Sequence, residues 1–304
     1  MGLDRGPARR LRARHGRTRR GGTAYPRARR QRLPRRRGLV SWQLAGASVR
    51  GAQHERLGTP AQDALERRLL PNGAILALAD GHGSAPATRS DIGAQLAVTV
   101  ASALLSEIAA SDPTPVDPTC LARELVDRWR SAVTSHAATH PLFPFPSSLF
   151  PLPSSLFPVY GTTVLAALAT ESHLLTLQLG DGDLLLVSPL GHVRRAWPRD
   201  GRLLGGETTS LCLPDAWREV RFARRALEPD APALIFLCTD GYSNSFRTER
   251  GFLRVGRDIL SMVRTHGIQQ VERDLAVWLE EASRLGSGDD VTAGVLYRAE
   301  AGGK

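Results

Sequence analysis

Three times in this 304-residue chain, an apolar run stops at an aspartate that is followed by glycine. No other feature limits the fold and chemistry so strongly. "AILALAD" ends at Asp80-Gly81, "LLTLQLGD" at Asp181-Gly182 and "ALIFLCTD" at Asp240-Gly241. A short run that is apolar almost throughout reads as a strand buried on both faces. Strands end at the rim of a sheet, so aspartates at several rims can meet along one edge. A single Asp-Gly is ordinary turn chemistry. Three of them, each after a buried strand, form a pattern. "GSGDDVTAGVL" is its mirror image, with Asp289-Asp290 preceding a strand, and "GTPAQDALE" sets Asp63 in a loop between the first two strands.

Four or five carboxylates within a few ångströms repel one another and push their pKa values up unless cations compensate. An all-oxygen ligand set suits Mg²⁺ or Mn²⁺, and short aspartates on rigid strand ends give the fixed geometry that Mg²⁺ prefers. The neighbouring glycines let backbone carbonyls and water approach such an ion.

The remaining texture predicts strands over 39–51, 73–80, 162–170, 173–183, 184–193, 217–223, 233–241 and 289–298. Apolar stripes predict helices over 89–110, 119–138, 251–267 and 268–286, the last with Val271, Leu275, Trp278 and Leu279 at helical spacing. Strands and helices come in blocks and do not alternate strictly, which argues for antiparallel sheets with helices packed outside. The expected class is therefore α+β.

The ordered set "AQDA", "LADGHGS", "GTTV" with "LGDGD", "CTDGYSNSF" and "GSGDDVT" resembles the metal-dependent protein phosphatases of the type 2C family. A bacterial branch, with its "SVRG…H…G…QDA" stretch and a segment like "LGGETTSLC", is the most similar. The resemblance spans roughly Val40 to Tyr297. It implies a four-layer αββα sandwich, two central, mostly antiparallel sheets flanked by helices. It also implies two Mn²⁺ or Mg²⁺ ions per active site and a third, weaker one.

Carried over by motif, Asp80 bridges both metals, the Gly81 carbonyl binds one of them, and Asp240 and Asp289 complete the shell of the second metal. Asp63 holds metal-bound water, Asp181 takes the third ion, and Thr162 and Thr163 pack beneath the site. A hydroxide bridging the two metals would attack the phosphorus of phosphoserine or phosphothreonine with no covalent phosphoenzyme. His82 would protonate the departing oxygen. One departure stands out: relatives carry a phosphate-gripping arginine five residues before the equivalent of Asp63, where this chain has Gly58. The nearest basic candidates are Arg56 and His54. The alternative is an inactive, phosphatase-fold sensor in a kinase pathway.

Residues 1–38 form a separate region. Fifteen arginines face one acid, Asp4, between Met1 and Arg37, a charge of about +14 within a total of +10, which leaves the rest near −4. A segment without apolar periodicity builds no core and reads as a disordered arm. Electrostatic binding of nucleic acid, organellar targeting and a start codon placed too far upstream in GC-rich DNA all remain open for it. The last is consistent with one lysine against 39 arginines.

The phosphatase domain is expected over 39–298, with a 299–304 tail. Its 141–159 insertion carries a tandem repeat, PSSLFPL then PSSLFPV. Proline at that density excludes helix and central strand. A duplicated loop and a polyproline docking segment are both compatible with it. Three scattered cysteines without a Cys-x-x-Cys pair argue against structural zinc and fit a reducing cytoplasm. No apolar run of membrane-spanning length is expected. The sequence thus points to a monomeric, cytoplasmic bacterial enzyme acting on the products of a Ser/Thr kinase.

Overall fold

A computed structural model describes residues 40–83, 87–111, 116–141, 156–199, 208–227 and 231–300. The arginine-rich arm and most of the proline repeat lie outside the described residues. The strands divide into two five-stranded sheets. The first holds β1 (Val40–Val49), β6 (Asp183–Val187), β7 (Val193–Arg195), β9 (Leu234–Cys238) and β10 (Val291–Glu300), in the spatial order β1-β10-β9-β6-β7. The second holds β2 (Ala64–Leu70), β3 (Gly73–Ala79), β4 (Val164–Thr170), β5 (His173–Leu179) and β8 (Arg221–Ala226), in the order β2-β3-β4-β5-β8. Every pairing between neighbours is antiparallel.

The unbroken apolarity of the central strands follows from the layering. In β3, Leu76 and Leu78 pack between the sheets with Leu165, Leu186, Ile235 and Leu237. Ile75 and Ala77 point the other way, into a core with α2 (Ser90–Ala110) and α3 (Pro118–Thr139). Strand residues alternate faces, so a strand in the second of four layers must be apolar at every position. On the far side, Phe236, Val187 and Val295 pack against α6 (Glu249–His266) and α7 (Ile268–Ala282). The result is the expected four-layer αββα sandwich. Val271, Leu275 and Leu279 of α7 are buried.

Three departures have physical reasons. Strand β2 was hidden because it is the edge of its sheet, and its "LERRL" stretch carries charge that discourages edge-to-edge pairing. The short α1 (Ala52–Leu57) buries no residue and ends at Gly58, with φ +71°, so it has no apolar stripe to betray it. Contrary to expectation, α2 is long and apolar enough, by length and composition alone, to cross a membrane. One face of it, including Ala94, Ala97, Val98, Ala101 and Leu105, is buried against the second sheet and α3.

Two short helices complete the frame, α4 (Ala216–Glu219) and the single turn α5 (Asp240–Ser243).

Candidate metal centre

The rim where β3, β5 and β9 end and β10 begins carries the aspartates. Asp80 is held by its backbone. Its N–H donates to Thr163 Oγ1 (3.0 Å), and its carbonyl accepts from Thr163 N (2.9 Å) and Thr162 Oγ1 (2.8 Å). The neighbouring threonines thus fix the direction of the carboxylate. The next residue must be glycine for want of space: a Cβ on Gly81 would lie 2.7 Å from the carbonyl oxygens of both Gln62 and Ser90.

Asp63 enters from the segment before β2. Its Oδ2 accepts from Thr239 Oγ1 at 2.8 Å, while Oδ1 is buried without a hydrogen-bond partner. Asp240 opens α5, and Asn244, one turn on, donates to its Oδ2 at 3.0 Å. Asp289 follows a π-helical turn over Ser283–Ser287, where Ser283 Oγ donates to its carbonyl at 2.8 Å; its side chain stays 53% exposed.

These carboxylates raise one another. Burial, assisted by Asp290 and Asp240, pushes Asp63 up to about 8, against the pull of its Thr292 and Thr239 hydrogen bonds. Burial and the charges of Asp63, Asp240 and Asp289 hold Asp80 well above the carboxylate range. Asp240 rises to about 6 through burial and the charge of Asp181, and it shares a hydrogen bond with Asp80. Carboxylates that raise one another in this way mark where positive charge is wanted.

Asp181 sits between Gly180, with φ +106°, and Gly182. It lines a cavity of about 260 Å³ together with Asp240, Ser243 and Asn244. The His82 backbone N–H donates to the Gly161 carbonyl at 3.0 Å. Burial lowers the imidazole pKa, and the Asp181 charge opposes that shift.

Of the two basic candidates, His54 turns inward, 3.0 Å from Asp290 Oδ2 and 3.9 Å from Asp289 Oδ1. Arg56 lies on the exposed face of α1, with Nε on the Ala52 carbonyl. Asp290, which carried no role in the sequence reading, is the buried clamp of the centre. It accepts from Gly51 N and Gln62 N, both at 2.6 Å, as well as facing His54. Its place beside Asp289 was visible, but its inward direction was not. Thr239 was equally unmarked, although it directly precedes Asp240 in "CTDG".

A sequence model described as Protein phosphatase 2C matches residues 50–280, more than half of the chain. The chain belongs to the protein phosphatase 2C family. By that membership it is a protein serine/threonine phosphatase in class.

Solved structures of this family share the fold at low identity. The catalytic domain of the serine/threonine phosphatase PstP, in complex with two manganese ions, is 21% identical with a TM-score of 0.53, over 86% of this chain and 99% of that one. PstP/Ppp of Mycobacterium tuberculosis is 22% identical, TM-score 0.53, over 84% and 98%. Stp1 of Staphylococcus aureus is 14% identical, TM-score 0.54, over 86% and 96%. No curated protein matches the chain.

Proposed function

We propose that this phosphatase 2C domain hydrolyses phosphoserine and phosphothreonine in proteins with the help of two divalent cations, Mn²⁺ or Mg²⁺, held at the aspartate rim. One observation carries the reading. Asp63, Asp80 and Asp240 lie together among protein atoms with raised pKa values, no arginine or histidine pairs with them among the described residues, and Asp63 Oδ1 is buried with nothing to accept from. Asp80, the Gly81 carbonyl, Asp240 and Asp289 would hold the two ions, Asp63 would orient their water, and Asp181 would face a third, weaker one. Among the described residues no three His, Cys, Asp or Glu side chains form a ligand cage by themselves. Bound at the rim, divalent cations acidify water and neutralise charge on phosphoryl oxygens.

The chain's own groups then have defined tasks. Thr162 and Thr163 keep the Asp80 carboxylate aimed along the rim. Asp290 ties the loop of Gly51 and Gln62 to the start of β10, so that Asp63 and Asp289 stay in register. His82 holds the proton for the departing serine or threonine oxygen, and Asp181 offsets the loss of basicity that burial causes. With Gly58 exposed and His54 engaged by Asp290, the phosphate is gripped chiefly at the rim itself. Substrates would be phosphoproteins made by a bacterial Ser/Thr kinase in the cytoplasm, and the enzyme would act as a monomer.

The test is hydrolysis of a phosphothreonine peptide with Mn²⁺ and with EDTA, beside Asp80→Asn. Metal-dependent turnover that the variant loses supports the reading. Folded protein that binds Mn²⁺ and releases no phosphate would favour the inactive sensor.

A further inference from the structure

The edge strands β1 and β2 meet at one side of the sandwich, so the sheets end on the other side in β7 and β8 respectively. Register fixes where their side chains go. Arg194 of β7 lies opposite Leu186, and Arg225 of β8 lies opposite Leu174. Leu186 and Leu174 both belong to the apolar layer between the sheets. Directly paired residues share a face, so both arginines emerge into the mouth of the inter-sheet space, one from each edge. They are close enough that the charge of Arg225, after partial burial, lowers the pKa of Arg194. No carboxylate among the described residues is paired with either.

The seam leads to the candidate active site. Arg221, on the same face of β8 as Arg225 and four residues before it, lines the cavity that Asp181 and Asp240 also line. At ~3.3 Å per residue, Arg225 lies ~13 Å along the strand from that point, about the span of four residues of extended peptide. Arg199 and Trp197 line the cavity too, and the Trp197 Nε1–H is buried without a partner. Donors and positive charge therefore run outward from the place where a phosphorylated residue would sit.

We propose that the seam between β7 and β8 is a track for an acidic stretch of the phosphoprotein substrate, held by Arg194 and Arg225 about four residues from the phosphorylated side chain. The proposal rests on the phosphatase reading above and adds its substrate preference. Two exposed ion pairs contribute a modest, salt-sensitive gain, about fivefold together.

The experiment compares the full-length protein with Arg194→Glu/Arg225→Glu. A fluorescent peptide with a non-hydrolysable phosphonate in place of phosphothreonine, and a Glu pair four residues from it, is titrated by anisotropy in Mn²⁺, beside a Gln-paired control. Wild type should bind the acidic peptide about fivefold more tightly, and the variant should lose that difference. With Mn²⁺, kcat/KM should follow the Glu pair as it is moved along the phosphothreonine peptide and peak near four residues. Hydrolysis of a small aryl phosphate should be equal in both proteins. Absence of aryl phosphate hydrolysis would sink the catalytic reading and leave the binding result standing.

Equal binding of acidic and neutral peptides, or a preference that survives in the variant, overturns the track. If the arginines serve only to keep two open sheet edges from pairing, peptide affinities are the same in wild type and variant, and the proposal fails.

Discussion

Asp80 and Asp183 both stand at strand ends on the same rim, and they have been provided for in opposite ways. Asp183 is 3% exposed and meets Arg195, itself tied to Glu249, with Arg199 Nη2 3.7 Å away. Its counter-charge is built into the chain. Asp80 faces Asp63, Asp240 and Asp289, whose charges, with burial, push its pKa up, and no arginine among the described residues answers it. A carboxylate with its own arginine is scaffold, whereas a group of carboxylates without one is a site that something must enter. The two cases differ by partner, not by position.

The comparison breaks most sharply under Asn substitution. Asp240→Asn should cost at least about a thousandfold in Mn²⁺-dependent turnover of a phosphothreonine peptide. It should also leave the metal-free protein no less stable, because a repelling charge has gone. Asp183→Asn should do the reverse in stability: Arg195, only 13% exposed, keeps Glu249 but loses its buried partner, at about 1.5–3 kcal/mol. Urea unfolding of both variants in EDTA reads the contrast, and equal losses would end it.

A pH series sharpens the same point. Asp63 titrates near 8 in the folded chain and near 4 unfolded. Protonation therefore favours the native state, and that stability drains away as pH rises toward 8. His82, lowered by burial, works in the other direction, but only below its ordinary range near 6.5. Metal-free protein should accordingly melt several degrees lower at pH 9 than at pH 7, and saturating Mn²⁺ should remove the difference. A melting temperature that is unchanged or higher at pH 9 in EDTA would contradict the assignment.

The smallest effect concerns support. Thr239→Val deletes the donor to Asp63 Oδ2 and the acceptor for Thr292 N, 3.0 Å away. A loss of about 1–2 kcal/mol is expected, with weaker Mn²⁺ affinity by titration.

Much of this could be read from residue order. The doubly buried strands declared themselves through "AILALA" and "LIFLC", because a strand between two layers has no polar face. The glycine after Asp80 reads in sequence as access for an ion, and the structure adds that a Cβ there would strike the carbonyls of Gln62 and Ser90. What stayed hidden lay at edges or depended on direction. Strand β2 mixes charge with leucine, α1 buries nothing, and Asp290 is buried beside a half-exposed Asp289. One-dimensional pattern carries periodicity well, but it does not say which of two adjacent acids turns in. The role of His54 was hidden for the same reason, since its partner lies 236 positions away.

The pairing of β1 with β10 runs from Val40 opposite Glu300 to Val49 opposite Val291. The first sheet therefore cannot close until its last strand has left the ribosome. At ~5–20 residues per second, β1 waits roughly 10 to 50 s for that partner. The residues that lock the rim, Asp289 and Asp290, arrive at the same late moment. A prematurely terminated chain would carry four of the five rim aspartates and still lack the clamp that gathers them. The rim is thus completed by the last strand of its sheet, whatever the order in which the other strands fold.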